Sequence, residues 1–136
     1  MSEAPVKFVL DTHVLLWWFE EHSLSVAHRR IIRRATATHP LWVSDITLWE
    51  IATLLALARI RLGLPLRDWL DRATAAPLVM RHVISSAVAA EIVNLPSTFP
   101  RDPADRIIVA TARVLGATLL TADRRIVESG VVPTLS

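Results

Sequence analysis

Residues 101–123 read RDPADRIIVATARVLGATLLTAD. Asp102 is a good helix cap, and Pro103 suits a first helical turn, where its fixed φ is already helical and its missing N–H is not needed. The helix this predicts runs to about Leu115. Gly116 then supplies the left-handed residue on which helices commonly stop. Residues 117–121 form a short apolar run that reads as a strand, and Asp123 follows it.

The same alternation extends in both directions. Residues 6–10 read as a buried strand ending at Asp11, and Thr12–Phe19 as a helix apolar almost all round. Ser25 is placed to cap a second helix reaching about Thr36. Leu41–Ser44 is a second strand, after which Ser44 or Asp45 caps a long helix to about Ala58. Ile46, Trp49, Leu54 and Leu57 fit the helical period on that helix. Gly63-Leu64-Pro65 ends the region. Leu66–Ala73 reads as a short helix, residues 79–83 as a strand and residues 85–93 as a helix. Pro96, Pro100 and Pro103 mark a rigid loop, and residues 131–134 are expected to close the sheet edge. Short apolar runs alternating with helices mean parallel strands joined by right-handed crossovers. The expectation is one α/β domain over residues 1–136, with a mainly parallel sheet of four to five short strands and helices on both faces.

Composition narrows the class. The 136 residues suit one domain. There is no cysteine, which excludes disulfides and thiolate metal sites and fits a cytoplasmic location. No basic segment followed by a long apolar run opens the chain, so no signal peptide is expected. The apolar run at 51–58 is closed by Arg59 and Arg61, far short of the roughly 20 residues of a membrane span. Hydrophobic residues make up 52% of the chain and mean hydropathy is +0.41, more than a monomer easily hides. A homodimer or a partner is expected to cover part of that surface. Net charge is only +2, so bulk electrostatics favour nucleic acid weakly. All the basic side chains but Lys7 are arginines, whose planar fork suits phosphate.

The acids carry the chemistry. Asp11 and Asp123 each follow a strand, and open α/β sheets build their sites at the carboxyl ends of strands. Glu50 lies in an apolar helix between Trp49 and Ile51, where a carboxylate is either paired or functional. Asp102 and Asp105 are three apart at a helix start and share a face, although Asp102 also serves there as a cap. If these acids converge, pairs at about 5 Å repel by roughly 3 kcal/mol at an effective dielectric of 20. They then need a cation or raised pKa values. Hard oxygen ligands without cysteine or clustered histidine select Mg²⁺ or Mn²⁺. Such ions assist in-line phosphoryl displacement, which is nuclease chemistry. His13, near Asp11, reads as a packing residue or a local hydrogen-bond partner and not as a metal ligand. His22, His28, His39 and His82 are scattered.

Four segments carry a resemblance. Residues 9–17 (VLDTHVLLW), 44–52 (SDITLWEIA), 101–110 (RDPADRIIVA) and 119–123 (LLTAD) resemble, in order and spacing, the four motifs of PIN-domain ribonuclease toxins of the VapC type. The likeness covers essentially the whole chain. It implies a metal-dependent ribonuclease that inhibits translation by cutting RNA and pairs with a small antitoxin. By motif, Asp11, Glu50, Asp105 and Asp123 would be the catalytic, metal-binding acids. Asp102 would be an extra metal ligand, and Thr12, Ser44 and Thr121 would orient carboxylates or waters. The chain departs from the pattern at Arg101, where His is common, and at 57–61, where Lys or Gly-Arg is common.

Other side chains have plainer readings. Arg106 is placed either to clamp phosphate or to pair with an acid. Arg29, Arg30, Arg33 and Arg34 form a basic helical face, read as solvated. Trp17, Trp18 and Phe19 read as core or interface anchors. Three rival functions exist. A phosphatase with Asp11 as nucleophile would want a second Asp where His13 stands. A non-catalytic PIN-like binding module would have lost acids that are present here. A housekeeping RNA-processing nuclease differs from a toxin in its gene neighbourhood, not in its sequence.

Overall fold

The computed structural model describes residues 5–20 and 24–136. Five parallel strands, β1 (Phe8–Leu10), β2 (Leu41–Ser44), β3 (Val79–His82), β4 (Thr118–Leu120) and β5 (Thr134–Leu135), lie in the order β3-β2-β1-β4-β5. The helices are α1 (Thr12–Phe19), α2 (Val26–Arg33), α3 (Asp45–Ala56), α4 (Leu66–Ala73), α5 (Ser86–Val93), α6 (Pro103–Leu115) and α7 (Arg124–Ser129). His22 falls outside the described residues.

Alternation along each strand divides the core between the two faces. Leu10, Leu41, Val43 and Leu120 pack with Val14 and Leu15 of α1, Ile32 of α2, Ile51 of α3 and Trp69 of α4. On the other face Val9 and Leu119 pack with Ile108 and Val109 of α6, Ile126 of α7 and Phe99. Helices therefore cover both faces, as expected. From β1 the chain winds outward through β2 and β3, then returns to β4 on the opposite side of β1. The direction of winding reverses between β1 and β4, which opens a crevice at their carboxyl ends.

Local signals set the boundaries. Ser25, Ser44, Ser85 and Asp102 cap α2, α3, α5 and α6 through their side-chain oxygens. Gly116 ends α6 at φ 62°. Several expectations need correction. β1 is shorter than residues 6–10 because Val6 is exposed beyond the ladder. α2 stops at Arg33, short of Thr36. The closing strand is Thr134–Leu135, displaced from 131–134 by the register of its pairing with Leu119 and Leu120. α7 was not expected at all. On α3 Thr47 and Ile51 are buried and Ile46 and Leu54 pack partly against the cores, whereas Trp49, and Leu57 just past the helix end, face solvent. Eight of the twelve residues of that helix are apolar and they spread round its axis, so its sequence marks no single stripe.

Candidate metal centre

The site begins with the sheet. The backbone N–H of Asp11 donates to Leu120 O at 2.9 Å, which carries the β1–β4 ladder one residue past β1. Thr121 N donates to Leu135 O at 3.1 Å, which fixes Thr121 beside it. Asp11 then starts α1. Its Oδ1 accepts from Thr12 N at 2.8 Å, and its Oδ2 accepts from the Thr121 hydroxyl at 2.7 Å. Thr121 Oγ1 in turn accepts from Asp123 N at 3.0 Å. Asp123 caps α7, its Oδ1 accepting from Arg125 N at 2.9 Å. Asp102 caps α6 by accepting from Asp105 N at 3.1 Å. Glu50 arrives from the middle of α3.

These placements bring Asp11, Glu50, Asp102, Asp105 and Asp123 to one cleft of about 350 Å³, together with His13, Trp17 and Arg125. One carboxylate oxygen each from Glu50, Asp102 and Asp105 lies within 4.8 Å of the other two. A larger cavity of about 540 Å³ sits at the opposite, amino-terminal end of the strands. Its walls are mainly apolar and include Phe8, Ile31 and Trp42, whereas the smaller cleft gathers the acids.

The electrostatics follow from the crowding. Asp11 is buried, and desolvation raises its carboxyl pKa despite the Thr121 and Thr12 hydrogen bonds. Glu50 is raised by desolvation and then by Asp11 and Asp102. Asp105 is pushed up to about 7, first by desolvation and then by Asp102, Asp11, Asp123 and Glu50. Asp123 is the exception. Burial raises it, but hydrogen bonds and charge from Arg125 outweigh burial and hold it below the usual range. Asp11, Glu50 and Asp105 thus resist ionising together. A hard divalent ion would remove that penalty, so the donor set fits Mg²⁺ or Mn²⁺.

The hydroxyls divide. Thr121 bridges Asp11 and Asp123, as above. Thr12 reaches Glu50, and its Oγ1 lies 3.2 Å from Thr47 Oγ1, a contact with no marker in the sequence. Ser44 caps α3, accepting from Ile46 N at 3.2 Å, because it directly precedes that helix. Among the described residues Arg106 neither lines the cleft nor pairs with an acid. Its guanidinium donates to Pro100 O and Phe99 O, each at 3.0 Å, and holds the proline loop. Trp18 and Phe19 pack against the core, whereas Trp17 lines the cleft. His28 is buried, with Nε2 2.6 Å from Leu135 O, and ties α2 to β5. The α2 arginines are exposed, as a solvated face should be. Arg125 went unnoticed in the sequence because the helix that carries it did.

Fold and site together define an open, doubly wound α/β protein with a carboxylate cluster at the switch point of its sheet. The family model described as the PIN domain matches residues 8–130, and the chain belongs to that family. It is 43% identical over 119 residues to Ribonuclease VapC22 of Mycobacterium tuberculosis (strain ATCC 25618 / H37Rv), an alignment covering 87% of this chain and 88% of the relative. Among solved structures, a chain of VapBC2 from Rickettsia felis bound to a promoter DNA fragment superposes with a TM-score of 0.72 at 14% identity, covering 96% of this chain and 98% of that one. A chain of a toxin-antitoxin complex from Klebsiella pneumoniae gives 0.64 at 18% identity, covering 96% and 97%. At such identities the two structures speak for the fold. No helix among the described residues is long and apolar enough to cross a membrane.

Proposed function

We propose that the protein is a metal-dependent endoribonuclease, the toxin of a toxin–antitoxin pair, which inhibits translation by cutting RNA and is neutralised by a small antitoxin. The observation that carries this reading is the convergence of five carboxylates from four chain segments, in a chain 43% identical to a named ribonuclease. Glu50, Asp102 and Asp105 would hold the ion, with Asp11 and Asp123 completing its surroundings. When bound, Mg²⁺ or Mn²⁺ supplies charge that favours water as nucleophile and stabilises an in-line displacement at phosphorus.

The chain's own groups prepare that site. Thr121 and the Thr12 N–H fix both oxygens of Asp11, so its carboxylate cannot rotate away. Burial of Asp11 and Asp105 strengthens every charge interaction there. Asp105, with its pKa near 7, carries a proton part of the time at neutral pH and would release it to solvent when a cation binds. The cytoplasm is the compartment this activity needs, and the apolar side chains left exposed, Trp49 and Leu57 among them, support a homodimer or an antitoxin contact. Light scattering at micromolar concentration tests the dimer, which a monomer mass would refute.

The function is tested with purified, partner-free protein on a mixed cellular RNA pool in Mg²⁺, Mn²⁺ or EDTA, with Asp11→Asn and Asp105→Asn alongside. Cleavage that needs metal and vanishes in both variants supports the reading. Cleavage that survives EDTA or both substitutions overturns it.

A further inference from the structure

The cleft carries a cation of its own. Arg125 stands in the first turn of α7, and its Nη2 lies 3.3 Å from Asp123 Oδ2 and 3.8 Å from Asp105 Oδ2. It is the only lysine or arginine among the described residues lining the cleft, facing five carboxylates. It therefore cannot neutralise them all. Its side chain is 67% exposed, so water screens both pairs and letting go of either costs little. Asp105 is also one of the three acids whose oxygens cluster closely enough to share an ion. A divalent cation there must compete with the guanidinium for the same carboxylate. Once its guanidinium is displaced, Arg125 stays tethered at the cleft rim, because Asp123 Oδ1 also accepts from the backbone N of residue 125 at 2.9 Å. A displaced, solvated guanidinium beside a cation site suits an oxygen pair of a phosphodiester, which it can grip with two parallel hydrogen bonds.

Resting on the reading of this cleft as an RNA-cutting metal site, we propose that Arg125 exchanges partners: it lies on Asp105 and Asp123 while the metal is absent, and moves onto a backbone phosphate of the bound RNA once a divalent cation takes those acids. Arg125 is then a substrate-binding residue that also bridges Asp105 and Asp123 when no divalent cation is bound. The exchange predicts opposite effects from one substitution. Arg125→Ala removes a competitor of the metal and a ligand of the RNA. A purely structural role would move stability alone, and a simple guard of the metal site would leave RNA binding unchanged.

The test compares wild type, Arg125→Ala and Arg125→Lys, each checked for native circular dichroism. Mn²⁺ binding is measured on the metal-free proteins by calorimetry. Binding of a labelled random-sequence RNA oligonucleotide is measured by fluorescence anisotropy in Ca²⁺, across a range of salt. For Arg125→Ala, Mn²⁺ is expected to bind a few-fold more tightly, and RNA about tenfold more weakly, as for loss of a charge-assisted hydrogen bond. The slope of log affinity against log salt is expected to fall by about 0.7, one phosphate contact on a single strand. Arg125→Lys should restore the weaker Mn²⁺ binding and part of the RNA affinity. Unchanged or weaker Mn²⁺ binding in Arg125→Ala would overturn the exchange, and so would RNA affinity and salt slope equal to wild type. Wild type that binds Mn²⁺ and RNA but cuts nothing in any metal would defeat the nuclease reading and leave the Arg125 comparison decisive.

Discussion

Thr121 donates a 2.7 Å hydrogen bond to Oδ2 of Asp11, joining the carboxyl ends of two adjacent strands across 110 positions of the chain. The bond is buried, and it orients the carboxylate at the centre of the acid cleft. Thr121→Val keeps the shape and removes the donor. The expected cost is about 1.5–3 kcal/mol of stability, typical of a buried hydrogen bond to a charged group. Asp11 should also become harder to ionise, so RNA cleavage falls by about tenfold or more. Thr121→Ser should recover most of both. Chemical denaturation and cleavage rates at fixed Mg²⁺ measure the pair.

Asp105→Asn separates stability from activity. Asp105 is crowded by four other acids and its ordinary ionisation is opposed by burial. A neutral amide of the same shape relieves that repulsion. In EDTA, the variant's melting temperature at pH 8 is expected to exceed that of wild type, while metal-dependent cleavage disappears. A variant that melts below wild type at that pH would show that the crowding at Asp105 does not strain the fold.

The pH dependence has a defined sign. A carboxyl whose folded pKa is raised binds more protons folded than unfolded between the two values, so stability falls as pH rises through that window. For Asp105 the window runs from the ordinary 3.8 to about 7. Asp11 and Glu50 are shifted in the same direction, whereas Asp123 is shifted oppositely and adds stability above its unfolded value. In EDTA, melting temperature is therefore expected to drop by roughly 5 °C or more between pH 5 and pH 8. Mg²⁺ or Mn²⁺ should reverse the drop, and metal affinity should rise across pH 6–8 with protons released on binding, read by calorimetry in two buffers.

Arg106→Met tests the placement of that arginine. Its guanidinium holds the carbonyls of Phe99 and Pro100. Loss of both bonds is expected to cost about 2 kcal/mol and loosen the loop before α6, seen as faster proteolysis there. Because Arg106 does not line the acid cleft, KM for RNA should change less than for Arg125→Ala. A larger KM effect at Arg106 would restore it as the phosphate contact.

Much of the fold is legible in the residues because local chemistry set it. The α6 helix starts and stops where Asp102, Pro103 and Gly116 say it should, and the strands are short apolar runs that only a covered parallel sheet can bury. α3 is different. With apolar residues on every side, its burial is decided by the sheet it leans on, and Thr47 and Ile51 win the inner face from Trp49 and Leu57. α7 is six residues long with Ile126 as its buried anchor, too little for a period to show, and Arg125 was lost with it. The five acids could be named individually, on the strength of the motif likeness. Their meeting in one cleft depends on strand order, which long-range pairing determines and no local segment encodes. The spending of Arg106 on the proline loop was equally invisible, whereas Ser44 was legible as a cap of α3.

Three of the five acids, Asp11, Asp102 and Asp123, are also the N-caps of α1, α6 and α7. Removing the chemistry at these positions by an apolar residue would fray a helix as well, at about 1 kcal/mol each. Asparagine escapes that coupling, since it caps as well as aspartate while giving up the charge. A relative that had abandoned catalysis and kept its shape would therefore be expected to carry Asn at positions 11, 102 or 123, and its inactivity would be readable one letter at a time.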